Sequence, residues 1–180
     1  MPDFTQRKYK SEGDGKPDLS LLKQCGENVI IEDGVRIFHP ETISIGDNVY
    51  IGHDTIIKGY YATDTIIGCN VWIGQQCFIM GAGGLSIADH VGIGPQVKIH
   101  PCYHENDLLD VPILFQKIIF DSIVIEEDVN IGFGAMIMHG VTLRKGSIIG
   151  ANAVVTKSFP AYSVVGGVPA KLIRNRQDSK

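Results

Sequence analysis

The sequence lacks several features that would decide its class early. No apolar run approaches the roughly 18 residues of a membrane-spanning helix. The opening MPDFTQRKYK has no apolar core segment, so no secretory signal is read there. Excess positive charge is absent as well. Sixteen Lys and Arg stand against 20 Asp and Glu, a net charge of −4 that points neither to nucleic acid nor to an anionic membrane. Cysteine is sparse, and Cys25, Cys69, Cys77 and Cys102 show no C-x-x-C spacing, so reduced thiols in a cytoplasmic protein are the simplest reading. What the chain does have is glycine, 21 of 180 residues against a usual share of about 7%, which suits a fold with many tight corners. Its length is enough for one domain with a real core.

Between Ile125 and Thr156 an aliphatic residue recurs every six positions: Ile125, Ile131, Ile137, Leu143, Ile149 and Val155. Four residues after most of them comes a small or slim one: Val129, Ala135, Val141, Ser147 and Ala153. A helix repeats every 3.6 residues and a strand every two. A period of six fits a solenoid of hexapeptide units, each a short strand plus a corner, with three units closing a triangular coil of about 18 residues. The beat begins loosely at Val29. Coils then start at Ile45, Ile67, Ile87, Ile125 and Leu143. The steps are 22, 20, 38 and 18 residues, so a surplus of 20 leaves the prism between Ile99 and Ile125. Inward aliphatics should stack on their equivalents one coil away. Glycines such as Gly46, Gly52, Gly94 and Gly132 follow that slot, where the chain bends.

The ends read differently. Residues 1–16 are polar and read as a loose arm. PDLSLLKQCG reads as a short helix capped by Asp18 and ended by Gly26, covering the open end of the solenoid. Residues 1–28 are thus an arm and capping helix, 29–168 the solenoid with an excursion at about 104–121, and 169–180 a tail. In that tail AKLIRNR reads as a short basic helix.

Three stretches carry a family resemblance: IGANAVVTKSFPAYSVVGGVPAKLIR, GPQVKIHPCYH and IMGAGGLSIADHVGIGP. Over roughly residues 29–174 the chain resembles the hexapeptide-repeat acyltransferases, among them sugar-modifying and polysaccharide-pathway enzymes. The resemblance implies an all-β fold, a left-handed parallel β-helix. It also implies a cytoplasmic homotrimer with its site in the cleft between prisms, and acetyl transfer from acetyl-CoA to a hydroxyl or amine of a saccharide or nucleotide-sugar. No metal, nucleic acid or membrane is implied.

In that alignment His104 falls on the family's catalytic histidine. An imidazole can accept a proton at neutral pH and return it to a leaving thiolate. His100, Asp107 and His139 are weaker candidates for substrate contacts, and Glu105, Asp107 or Asp110 could orient His104. For acetyl-CoA the resemblance points to corners around Gly134 and Ala151, to Thr156 and Lys157, and to Arg174. Phe133 departs from the serine common in relatives. Lys157 and Arg174 could equally be ordinary solvated charges. His100, Cys102 and His104 have ligand types suited to zinc, but their spacing departs from that of the metalloenzymes that share this prism. A non-catalytic assembly subunit is the third reading. The greasy centre of the excursion, Leu114, Phe115, Ile118, Ile119 and Phe120, should pack on a prism and shape the acceptor pocket.

Overall fold

In a computed structural model, described for residues 13–178, the chain winds as a triangular prism of three parallel sheets. The first sheet holds Gln24–Cys25, Ile43–Ile45, Thr65–Ile67, Leu85–Ile87, Ile123–Ile125 and Thr142–Leu143. The second holds Val29–Ile31, Val49–Ile51, Trp72–Ile73, Gly92–Ile93, Asn130–Ile131, Ile148–Ile149, Ser163–Gly166 and Lys171–Asn175. The third holds Arg36–Phe38, Ile56–Lys58, Phe78–Met80, Lys98–His100, Met136–Met138 and Val154–Val155. The expected left-handed parallel β-helix is the fold observed.

Register follows the period of six. Ile45, Ile67, Ile87, Ile125 and Leu143 pair in one ladder. Ile51, Ile73, Ile93, Ile131 and Ile149 form the second. Ile57, Ile79, Ile99, Ile137 and Val155 form the third. All are buried, as are the slim residues Val129, Ala135, Val141, Ser147 and Ala153. Each coil therefore buries three branched side chains against the coils on either side, and no coil has a core of its own.

The loose first coil from Val29 pairs in register, Ile31 with Ile51 and Ile37 with Ile57, and the ladders extend one strand further toward the N-terminus than that beat, where Cys25 pairs Ile45. The bends are carried largely by left-handed residues such as Asn28, Asn48, Asn70, Gln76 and Gln96. Their amides join from coil to coil, Asn28 donating to Asn48 at 2.8 Å and Asn48 to Asn70 at 2.9 Å. The glycines after the aliphatic slot serve a different purpose. A Cβ on Gly132 would lie 2.7 Å from the Ala151 nitrogen and 2.8 Å from the Ile149 oxygen, so the next coil's backbone leaves it no room.

Both expected terminal helices are corrected. Asp18 does cap a turn, accepting from the Ser20 amide, but the turn is a three-residue 3-10 segment, Leu19–Leu21. The chain then enters a strand because Gln24 and Cys25 complete the first sheet against Ser44 and Ile45. Leu22 closes the prism end while Leu19 and Leu21 stay exposed. At the other end Lys171–Asn175 is a strand, antiparallel to Ser163–Gly166. Pairing covers the last edge of the second sheet, which a one-turn helix would leave open. The arm expected over 1–16 lies mostly outside the described residues.

Candidate functional site

The long excursion is a built hairpin. Cys102–His104 pairs antiparallel with Ile118–Phe120, setting Cys102 opposite Phe120 and His104 opposite Ile118. Its root is tied to three coils: Asp121 N–H donates to the Pro101 carbonyl, Ile123 N–H to Gly84 and Gly140 N–H to Asp121. Directly opposed residues share a face of a hairpin. His104, Cys102, Ile118 and Phe120 therefore lie on one face, and Tyr103 and Ile119 on the other. Tyr103 stacks on His139 of the following coil, ring centroids 4.2 Å apart, while the Cys102 sulfur lies 4.0 Å from the Met80 sulfur of the preceding coil. The hairpin is wedged between two corners.

His104 is half-buried, with Nδ1 3.2 Å from the Gln116 carbonyl oxygen. A carbonyl only accepts, so the neutral ring carries its proton on Nδ1 and leaves the Nε2 lone pair for another group. None of the acids considered from the sequence orients the ring in this way; a backbone carbonyl does. That carbonyl is itself held. The Gln116 side chain is buried and donates from Nε2 to the carbonyls of Leu108 (2.8 Å) and Val111 (2.9 Å). Its Oε1 accepts from the Leu108 amide at 3.2 Å. Glu105 N–H to Lys117 carbonyl, 2.8 Å, extends the hairpin past His104. Sequence patterns do not reveal this residue, because its effect on His104 passes through the main chain.

Most of the remaining candidates gather near two corners of the prism. His100 lies half-buried on the outer face of the third sheet beside Met138, and His139 lies under Tyr103. Asp107 is exposed on the loop. Thr156 and Lys157 follow the last strand of the third sheet, at the same corner as the hairpin, with Lys157 Nζ 5.7 Å from the Phe159 ring centroid. Gly134 and Ala151 occupy the other margin of that sheet, between the second and third sheets. Gly134 has a φ of +68°, and a Cβ there would strike the Asn152 side chain. Phe133, one residue earlier, is exposed. Arg174 stands apart on the terminal strand, opposite Val164 near the start of the second sheet, so within one chain it does not join Lys157.

Burial pushes the Cys102 thiol above its ordinary pKa, against a smaller opposing pull from Lys58, so it is poorly set as a nucleophile. Burial does the same to Cys77, whose Sγ contacts the Gly94 carbonyl at 3.3 Å and belongs to the core as expected. Among the described residues no three His, Cys, Asp or Glu side chains converge as a metal set would. His39, His53 and His90 sit at corners beside Glu41, Glu32 and Glu127.

A family model for bacterial transferase hexapeptides (six repeats) matches residues 122–157. Over 161 residues the chain is 31% identical to a dTDP-4-amino-4,6-dideoxy-D-glucose acyltransferase of Escherichia coli, a match covering 86% of this chain and 83% of that one. It is also 31% identical over 168 residues to the galactoside O-acetyltransferase of E. coli K12, covering 88% and 68%. A probable acetyltransferase of Mycobacterium tuberculosis is 31% identical over 162 residues, and there the match spans 89% of this chain but 46% of the relative. Among solved structures, the N-acyltransferase AntD of Bacillus cereus, in complex with dTDP and 3-hydroxybutyryl-CoA, superposes with a TM-score of 0.77. Its identity is 22% and the match covers 88% of this chain and 85% of that one, a likeness of fold. A hexapeptide-repeat acetyltransferase of Vibrio cholerae complexed with acetyl coenzyme A gives a TM-score of 0.56 at 28% identity, covering 88% and 74%.

Proposed function

The chain belongs to the hexapeptide-repeat acyltransferases, and from that premise we propose that it transfers acetyl from acetyl-CoA to a hydroxyl or amino group of a saccharide or nucleotide-sugar. The observation that carries the reading is the bond from His104 Nδ1 to the Gln116 carbonyl, which leaves Nε2 as a base on a half-buried hairpin face. In the reaction Nε2 takes a proton from the acceptor as its oxygen or nitrogen attacks the acetyl carbonyl carbon. The carbon–sulfur bond then breaks, and the imidazolium returns the proton to the departing thiolate. A hydroxyl acceptor has most need of such a base. A stacked sheet fixes the hairpin root, which favours a preorganised site over one that forms only on binding.

Relatives named for a dTDP-amino-sugar and for galactosides support the acceptor class. The Vibrio acetyltransferase structure with acetyl coenzyme A supports the donor. Gly134 and Ala151 would receive the pantetheine arm, Thr156 and Lys157 the adenosine and phosphates, and Arg174 a phosphate. His104 and the Gly134–Ala151 corner lie at opposite margins of the third sheet. Arg174 stands near a third corner. A homotrimer would bring one copy's hairpin corner to its neighbour's corners, and light scattering should then report three chains. A cytoplasmic location, where acetyl-CoA is available, fits this donor. The direct test is a panel of sugars and nucleotide-sugars, with release of free CoA thiol as the readout. Saturable, acceptor-dependent release supports the proposal; release no faster than the acceptor-free rate with every member overturns it.

A further inference from the structure

The coil that starts at Ile45 carries four surplus residues. They emerge within the corner segment Gly59–Asp64, a bulge at the hairpin's corner of the prism. This bulge is fastened rather than loose. Thr63 N–H donates to the Tyr60 carbonyl at 3.1 Å, and Thr63 Oγ1 donates to the Gly81 carbonyl at 3.0 Å. Its Tyr60 ring turns toward the hairpin, and Tyr61 lies outside it. Tyr60 meets Phe120, centroids 5.2 Å apart, and Tyr61 lies against Tyr60 at 4.4 Å. The corner between bulge and hairpin is Gly81-Ala82-Gly83-Gly84, whose one methyl is buried. At Gly83 a Cβ would lie 3.1 Å from the Phe120 Cβ and 3.2 Å from the Pro101 carbonyl. The glycine-rich corner is what lets a ring from two coils away reach the hairpin.

The outcome is a run of three rings in which a half-buried Tyr60 lies between Phe120, exposed at 40%, and Tyr61, exposed at 72%. The run begins on the hairpin face that carries His104, because Phe120 opposes Cys102 and His104 is two residues further along. Two strand residues span about 7 Å, close to the width of one sugar ring. The prism has no need of the bulge, since a coil closes without those residues. Aromatic faces bind the apolar faces of flat rings.

We propose that Tyr60, Tyr61 and Phe120 form a stacking shelf for a second ring of the acceptor, one ring away from the group that receives the acetyl. This rests on the acceptor class proposed above. It assigns preference to acceptors with such a ring, a glycoside or nucleotide-sugar, over a bare monosaccharide.

The test is a binding measurement that does not depend on turnover. The probes are p-nitrophenyl β-D-galactopyranoside and methyl β-D-galactopyranoside, titrated into the full chain in the presence of CoA and followed by saturation-transfer NMR. The nitrophenyl probe should bind at least tenfold more tightly, with the strongest transfer to its ring protons. Tyr61→Ala should erase the difference and Tyr61→Phe should keep it; stacking on one ring supports a change of about five- to hundredfold. Equal affinity for the two probes, no binding of either, or an unchanged ratio in Tyr61→Ala overturns the shelf. CoA release measured in parallel samples, with acetyl-CoA in place of CoA, reports separately on acetyl transfer. A shelf that binds without turnover would sink the catalytic reading alone.

Discussion

Replacing Gln116 with leucine should uncouple the base from its scaffold while leaving the prism intact. The substitution keeps approximate volume and removes an amide that makes three hydrogen bonds, to the Leu108 carbonyl, the Val111 carbonyl and the Leu108 amide. At about 1 kcal/mol net for each, and with water replacing part of what is lost, the loop over 108–116 loosens by about 2–3 kcal/mol. The Gln116 carbonyl then no longer holds a fixed place under His104 Nδ1. Misplacing a reacting group by about 1 Å can cost up to a hundredfold. The expected loss in kcat is about ten- to hundredfold, smaller than removal of the base itself. Neither Gln116 nor the hairpin belongs to the continuous core cluster. The melting temperature should therefore stay within about 2 °C, and the KM for acetyl-CoA should not change. Steady-state kinetics, thermal unfolding and the ¹⁵N shifts of His104 together make the assay. The Nδ1–H tautomer should dominate in the parent and lose its dominance in Gln116→Leu. Unaltered kcat and tautomer would refute the reasoning, as would a rate loss that merely tracks a collapse in melting temperature.

Gly132→Ala forces a methyl onto the backbone of the next coil; overpacking of about 1–3 kcal/mol should lower the melting temperature by about 3–10 °C, read by calorimetry. At pH 8 iodoacetamide should label exposed Cys25 and spare Cys77 and Cys102, whose burial raises their thiol pKa. The same shift has a sign in stability. The unfolded chain ionises these thiols first, so stability should fall as pH rises from the ordinary thiol value toward the raised folded one; denaturant midpoints across pH 7–10 that do not fall would contradict this. The double variant Lys157→Ala with Arg174→Ala should raise the KM for acetyl-CoA and leave kcat near the parent value, and an unchanged KM would leave both as ordinary solvated charges.

The prism could be read from the chain because each inward position repeats the same chemistry. Ile45, Ile51 and Ile57 predict the burial of every equivalent down to Val155. The coil before them was less legible, since Cys25 occupies an aliphatic slot and the flanking residues are half-exposed. Leu19 and Leu22 have helical spacing, and the KLIR segment is too short to show a period of its own. In such short segments periodicity cannot separate helix from strand, and pairing to an open sheet edge decides. The excursion was visible as surplus length and His104 as a motif position. What holds His104 was not visible, because the Gln116 carbonyl could come from any residue type and its anchors, Leu108 and Val111, also contribute only main chain. The tyrosine bulge is hidden for a related reason. Tyr60 meets Phe120 only because two coils bring residues 60 apart in sequence to one corner.

Everything proposed for the chemistry depends on the imidazole of His104, and its replacement by asparagine is the most direct test. With saturating acetyl-CoA and an acceptor that supports turnover, His104→Asn should bind acetyl-CoA as tightly as the parent while kcat falls by about 10²–10⁴. Turnover within about threefold of the parent, at unchanged acetyl-CoA affinity, would contradict the assignment of His104 as the base.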